Sequence, residues 1–326
     1  MFFWGDFFAD YKFFLLICVL INITLVMDEE KRKEIKYISP TTDFGFKKVF
    51  GDERMMKSFL NALFDSQNLG IKIESLEYID KEALGSDKQN RGVIYDLKCH
   101  TSNGEEILVE MQNEGQDFFE NRIIYYMARA VSIQGFKKVR NKIGEQKLEE
   151  DETWDFDIHR VIGVFLMNYY DKNDLEPVSR NCWTNVNSGK ISSDRQEYWK
   201  VQLPYYRRHN KKPEECANKL DYWLYNISNM DTMSELAFKE KEPDFVYLSN
   251  LANFNAMSVQ EQNRYIYNID QEVVYNNVME RRYRDGKTEG ERLQTLSIAR
   301  NAKNLGYSVD QIVALTGLTP SEIDNL

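Results

Sequence analysis

The feature that most constrains the fold is a pair of strand-like segments joined by a very short turn. The segments are residues 93–100 and 106–112, and the sequence TSNG at 101–104 lies between them. Side chains alternate between the two faces of a strand, so a shift of one residue in the pairing moves every side chain to the opposite face. The length of the turn therefore decides which polar residues share a face.

The turn can be closed in two ways. A two-residue loop, Asn103-Gly104, would put Asp96 opposite Met111 and on the other face from Glu110. A three-residue loop with a left-handed Gly104 is the next common hairpin, and it puts Asp96 opposite Glu110. We favour the three-residue loop because it separates apolar from polar side chains. The apolar face then holds Tyr95, Leu97, Val109 and Met111, and the polar face holds Asp96, Lys98, Glu110 and Gln112.

Opposed carboxylates at Asp96 and Glu110 cost free energy unless a positive charge lies between them. A divalent cation is the usual solution, and hard carboxylate oxygens suit Mg²⁺. The three His and four Cys of the chain are scattered without zinc-site spacing, which argues against a His- or Cys-held metal. The alternative is a solvated polar face on which Lys98 neutralises an acid.

Periodicity along the chain predicts a mixed α/β core followed by helices. Residues 40–43, with the sequence PTTD, form a helix-start signal. Strand patterns occur at 71–79, 160–168 and 197–206, and a helical pattern occurs at 118–138. From about residue 216 the periodicity is helical to the end, including a short helix pair after Ser308. Strands mixed with helices, then helices alone, indicate an α/β core with a helical C-terminal extension.

An apolar run of 14 residues, 13–26, precedes this core. A membrane-spanning helix needs about 20 residues. The run also lacks the basic flank and cleavage site of a signal peptide. We expect residues 1–26 to be a spurious extension of a chain that starts at Met27, with a membrane anchor or a packed or cleaved segment as the open alternatives.

Charge is unevenly distributed along the chain. The formal net charge is −10, but residues 190–212 carry seven basic residues and two acidic ones, among them Arg207 and Arg208. Interleaved with them are Tyr198, Trp199, Tyr205 and Tyr206. Basic residues with aromatic rings suit contact with a nucleic-acid backbone, with bases stacked on the rings. The alternative is that residues 190–212 form a solvated strand-and-loop edge. The acidic stretch 145–157 is interpreted as a connector.

Arg122, Tyr126 and Arg129 fall at i, i+4 and i+7 of the predicted helix at 118–138. Two guanidinium groups on one helix face can grip phosphates bidentately, which makes Arg122 and Arg129 candidate DNA-binding residues. The alternative is a surface face on which the arginine stems lie over aromatic rings.

Three stretches in this order carry a family resemblance: TTDFGFKKVFGDE, YDLKCHTSNGEEILVEMQ and NRIIYYMARAV. Together they resemble the Rpn-type recombination-promoting nucleases, also described as the transposase branch of the PD-(D/E)XK nuclease superfamily. The resemblance implies a restriction-endonuclease-like core, a mixed sheet flanked by helices. It also implies a Mg²⁺- or Mn²⁺-dependent DNA endonuclease linked to recombination or transposon-like mobility. A catalytically weak DNA-binding module and a protein-interaction or regulatory factor are the alternatives.

The resemblance assigns roles residue by residue. Asp96 matches the metal-binding acid on the second core strand, and Glu110 matches the acid of the (D/E)XK element. Gln112 stands where the superfamily usually has Lys, and Asp43 matches an acid of the first helix. Because Gln112 carries no charge, we hypothesise that Lys98, on the same predicted face as Asp96, supplies the missing one.

The expected layout is a nuclease-like domain at 27–215, a helical region at 216–285 and a C-terminal helical hairpin tail at 286–326. DNA is the expected partner, with no small-molecule cofactor, no membrane association and a cytoplasmic location. A homo-oligomer is left open.

Overall fold

The computed structural model of the chain describes residues 35–78, 96–144 and 158–326. The apolar extension at 1–26 and the acidic connector at 145–157 lie outside the described residues. The chain divides into two compact units, one ending at Ile266 and the other comprising Tyr267–Leu326.

The first unit mixes helices and strands, and the second is helical, as the periodicity predicts. The helices are α1 Asp43–Phe50, α2 Glu53–Asp65, α3 Phe119–Gly144, α4 Lys219–Asn229, α5 Pro243–Leu251, α6 Val259–Asn304, α7 Val309–Thr316 and α8 Pro320–Asp324. The strands are β1 Leu76–Tyr78, β2 Leu97–Thr101, β3 Glu106–Gln112, β4 Val161–Met167, β5 Val178–Thr184 and β6 Ile191–Gln202. Short 3₁₀ helices lie at Leu203–Tyr206, Pro213–Glu215, Met230–Thr232 and Phe254–Ala256.

The described strands form one mixed sheet in the order β1-β2-β3-β4-β6-β5. β3, β4 and β6 are parallel to one another, and the remaining pairs are antiparallel. Parallel neighbours need a crossover connection, and α3 lies in the one between β3 and β4. The sheet confirms the predicted fold class, an α/β core with flanking helices.

The β2–β3 hairpin has the predicted three-residue register. Leu97 lies opposite Val109, and the backbone N–H of Thr101 donates to the carbonyl of Glu105 at 3.0 Å. Gly104 has φ = +83°, the left-handed conformation that this turn requires. A side chain at Gly104 would also meet the imidazole of His159, 2.9 Å from the added Cβ.

Each face of the sheet is covered by helices. On one face, the ring of Phe64 in α2 lies 5.9 Å from that of Trp199 in β6. On the other face, α3 buries an apolar stripe at helical spacing against Leu108 of β3 and Phe165 of β4. The stripe consists of Phe119, Ile123, Met127 and Ala130.

The sequence-based boundaries need three corrections. The segment 71–79 forms a strand only at Leu76–Tyr78, and 197–206 is the second half of a longer strand that ends at Gln202. The chain turns into a 3₁₀ helix there because Pro204 has no N–H to donate to the sheet. β5, at Val178–Thr184, was not predicted.

The second unit contains most of α6 together with α7 and α8. Its small core consists of Ala299, Ala302, Ile312 and Ile323. Ser308 caps α7, and Gly317 ends it with φ = +71°, which confirms the predicted helix pair. α6 runs without interruption from Val259 to Asn304, and the domain layout given above remains a prediction. Within the part of the chain that the structure describes, no helix is both long and apolar enough to cross a membrane.

Candidate active site

Asp96, Glu110 and Gln112 come together at one end of the β2–β3 hairpin. Glu110 is 2 % exposed and Gln112 is 7 % exposed, and both lie on the face that α3 covers. Asp96 immediately precedes β2, and continuing the register by one residue places it opposite Glu110. Its Oδ2 accepts a hydrogen bond from the backbone N–H of Met111 at 3.1 Å, which ties the Asp96 carboxylate to β3.

Arg122, near the start of α3, joins this group. Its Nη2 donates to Glu110 Oε2 at 3.1 Å, and its Nη1 donates to Gln112 Oε1 at 3.1 Å. Gln112 Nε2 donates in turn to the carbonyl of Glu114 at 2.9 Å. One guanidinium group therefore holds both polar side chains of the Glu110-Met111-Gln112 element.

The surroundings of Arg122 are strongly negative. Burial alone would lower the pKa of Arg122. The negative charges of Glu110 and Asp96 and a hydrogen bond with Tyr126 outweigh burial and raise this pKa. The guanidinium carbon also lies 5.0 Å from the centre of the Tyr126 ring, which is the arginine-over-ring arrangement. Helical spacing alone did not reveal the contact with Glu110, because that contact runs between α3 and the sheet. The DNA-binding roles of Arg122 and of half-buried Arg129 remain predictions.

Lys98 forms an ion pair with Glu106, with 2.7 Å between Nζ and Oε2 and both side chains 3 % exposed. Lys98 therefore neutralises the charge of Glu106, which agrees with the alternative in which Lys98 pairs with an acid. The face is not solvated, however, because the helix side of the sheet buries Glu106 and Glu110 as well. The catalytic role assigned to Lys98 stays a prediction.

Asp43 is the first residue of α1. It is exposed and forms an ion pair with Lys47, one helical turn later. The carbonyl of Thr41 accepts a hydrogen bond from Asn113 Nδ2 at 2.9 Å, which joins the start of α1 to the end of β3. Asp43 thus lies near this end of the sheet, and its role in the site stays a prediction.

Arg207 and Arg208 lie in the loop that follows the 3₁₀ helix Leu203–Tyr206. Arg207 Nη2 donates to Asn168 Oδ1 at 2.6 Å, and the backbone N–H of Asn168 donates to the carbonyl of Gln112 at 2.8 Å. Arg207 is therefore one hydrogen-bonded residue away from Gln112. The aromatic residues of this basic segment are different, since Trp199 is fully buried and Tyr206 is 5 % exposed. The expectation that these two rings stack on bases is wrong.

The sequence did not predict a cluster in which one buried lysine, Lys200, contacts three carboxylates. Lys200 Nζ lies 2.9 Å from Glu120 of α3, 3.0 Å from Asp171 and 3.1 Å from Asp174. Burial alone would lower the pKa of Lys200, but the hydrogen bonds that its ammonium group donates to the three carboxylates raise it. Its members come from a helix, a loop and a strand, so no sequence spacing signals the cluster.

The carboxylate oxygens at this end of the hairpin are suitable ligands for a hard divalent cation. Among the described residues, no group of three His, Cys, Asp or Glu is arranged to hold a metal ion. Mg²⁺ is commonly bound through one or two carboxylates, with water and substrate phosphate completing its shell. Asp96 and Glu110 supply two such carboxylates. In this structure, one oxygen of Glu110 accepts a hydrogen bond from the Arg122 guanidinium.

Comparison with known proteins identifies a family. The profile of the family described as PD-(D/E)XK nuclease family transposase matches residues 40–283, which include every element from α1 to the middle of α6. No curated protein and no solved structure matches the chain. The family match implies a nuclease linked to transposition.

Proposed function

The chain belongs to the PD-(D/E)XK nuclease family transposases, and on that premise we propose that it is a Mg²⁺- or Mn²⁺-dependent DNA endonuclease. It would hydrolyse phosphodiester bonds in recombination or transposon-like mobility. The observation that carries the proposal is the opposition of Asp96 and Glu110 across the hairpin, with the Arg122 guanidinium hydrogen-bonded to Glu110.

Asp96 and Glu110 would hold the metal ion through their carboxylate oxygens. When bound, such an ion lowers the pKa of a water and stabilises negative charge on the phosphate. The hydrogen bond from the Met111 N–H fixes the Asp96 carboxylate, and the surrounding burial keeps the Glu110 side chain in one place. Arg122 of α3 also holds Glu110, so both carboxylates are fixed before a metal ion binds.

Arg122 would supply the positive charge that Gln112 lacks. A guanidinium group is always protonated and presents several donors, so it can hold Glu110 and also face a phosphate oxygen. The Gln112 amide, oriented by Arg122 and by the carbonyl of Glu114, would position a water by hydrogen bonding. This arrangement argues against the catalytically weak DNA-binding module. Gln112 replaces the usual lysine, but Arg122 brings a positive charge into direct contact with Gln112 and Glu110.

The proposal is tested by cleavage of supercoiled plasmid DNA with Mg²⁺, with Mn²⁺ and with EDTA. We expect nicking or linearisation that needs the divalent cation and is lost in Asp96→Asn and Glu110→Gln. Both substitutions keep the size of the side chain and remove its charge. Asp65→Asn, at the exposed end of α2, is the matched control and should cleave like the wild type.

The outcomes separate the candidate functions. Cleavage that persists in EDTA, or that survives both active-site substitutions, would refute the proposal. DNA binding without cleavage would support the weak DNA-binding module. If purified folded protein neither binds nor cleaves DNA, the protein-interaction alternative is favoured.

A further inference from the structure

A polar cavity of about 350 Å³ lies next to the candidate active site. It is lined from four parts of the chain: the segment before α1, the residue that follows β4, the loop at 207–209 and the C-terminal end of α4 with the turn after it. All of its lining residues are polar. Because these side chains offer charges and hydrogen-bonding groups, the lining favours a charged and hydrated ligand.

The cavity is connected to the active site by hydrogen bonds. Asn168, in its wall, donates from its backbone N–H to the carbonyl of Gln112 at 2.8 Å. Its Nδ2 donates to Asn113 Oδ1 at 3.3 Å, and Asn113 Nδ2 donates to the carbonyl of Thr41, another wall residue, at 2.9 Å. The wall therefore begins at the residues that end β3, directly after the Glu110-Met111-Gln112 element.

Basic groups dominate the charge of the lining. Arg207, Arg208 and His209 face a single lining acid, Asp231. Asn229 fixes the loop that carries them, because its Oδ1 accepts from the N–H of Arg208 at 2.8 Å. Two guanidinium groups are thus presented at the cavity from a backbone that is already ordered, which lowers the entropic cost of binding an anion.

We propose that the cavity binds a backbone phosphate of the DNA strand, adjacent to the phosphate that is cleaved; this inference rests on the proposed function. Guanidinium groups match phosphate geometry, and hydroxyl and amide side chains suit the phosphate and sugar oxygens. Apart from the imidazole of His209, the described lining offers no flat ring on which a base could stack. The cavity therefore positions the strand and does not read its sequence.

Arg208 gives the cleanest test. Its side chain is exposed and its backbone N–H is already bonded to Asn229, so Arg208→Ala removes the guanidinium group without opening the fold. Binding of fluorescein-labelled duplexes of two unrelated sequences is measured without divalent cation, which separates binding from cleavage. We expect about tenfold weaker binding to both duplexes. The slope of log K against log salt concentration should fall by about 0.9, the loss of one phosphate contact.

Two further variants give the controls. Asp231→Asn removes the lining acid and should tighten binding to both duplexes. Arg300→Ala removes an exposed arginine from the second unit and should change neither affinity nor salt slope. Opposite signs for Arg208→Ala and Asp231→Asn cannot come from misfolding of both variants.

Three results would overturn the assignment. If the wild type cleaves plasmid DNA while Arg208→Ala leaves affinity and salt slope unchanged, the cavity does not hold the strand, and the proposed function stands. A loss confined to one duplex would mean that the cavity reads bases. Titration of inorganic phosphate alone, if it shows Arg208-dependent binding while DNA binding is unaffected, would identify a free phosphate as the ligand.

Discussion

Removing one member of the Lys98–Glu106 ion pair should destabilise the protein much more than removing both. At 2.7 Å and an effective dielectric constant of about 20, the attraction between the two charges is about 6 kcal/mol. Burying each ion costs several kcal/mol, so the net contribution of the intact pair is small. Lys98→Met leaves Glu106 buried without this partner, and we expect it to lower the free energy of unfolding by about 3–5 kcal/mol.

The double variant Lys98→Met with Glu106→Leu replaces the pair by apolar side chains of similar size. We expect its free energy of unfolding to equal that of the wild type or exceed it by up to about 4 kcal/mol. Urea denaturation followed by tryptophan fluorescence measures both effects, because Trp199 and Trp223 are fully buried in the first unit. A loss below about 1 kcal/mol in Lys98→Met would refute this account of the pair.

The same double variant separates stability from catalysis. If Lys98 supplies a catalytic charge, as the sequence suggested, the double variant folds but loses plasmid cleavage. If Arg122 is the catalytic cation, the double variant retains cleavage. The single variant cannot make this distinction, because its lower stability by itself reduces the amount of active protein.

Three other predictions concern separate features. Arg122→Lys keeps the charge but cannot hold Glu110 and Gln112 together, so single-turnover cleavage should slow by roughly tenfold to a hundredfold; an unchanged rate would show that charge alone suffices. Gly104→Ala should lower stability by more than the roughly 1–2 kcal/mol of a left-handed alanine, since its Cβ would also meet His159. Gly189→Ala, at φ = +66° in open space, is its control in thermal unfolding, and equal losses would contradict the clash. Hydrogen bonds from Lys48 and Ser258 lower the pKa of Glu261 from its ordinary 4.5 to about 2. The stability from Glu261 is therefore complete above about pH 4.5 and lost as the pH falls towards 2. The Glu261→Gln variant should show a shallower loss of stability over that interval in urea unfolding, and an unchanged pH dependence would refute the assignment.

The hairpin was predictable because its information is local. The turn sequence, the alternation of side chains and the left-handed Gly104 together specify which face holds Asp96 and Glu110, and the structure has that register. The resemblance of three ordered stretches extended this to the family, and the family match covers residues 40–283.

Interactions between distant segments were not predictable in the same way. The contact of Arg122 with Glu110 depends on how α3 packs on the sheet, and periodicity describes only the helix face on which Arg122 lies. The basic run at 190–212 was misleading for Lys200 and Trp199, because β6 runs through the interior of the sheet. β5 escaped prediction because its residues are only partly buried and lack an apolar alternation.

The two halves of the site differ in how far apart their residues lie along the chain. Asp96 and Met111 are 15 positions apart, and Arg122 and Glu110 are 12 apart. The cavity instead joins Thr41 to Asn113 across 72 positions and Asn168 to Arg207 across 39. Contacts between neighbours in sequence form early in folding, and distant ones need the whole domain to close. The carboxylate pair therefore belongs to a nearly self-contained segment, whereas the cavity wall needs distant segments of the first unit to come together. Under the proposed function, we therefore expect partial unfolding to weaken DNA binding before it separates the two carboxylates.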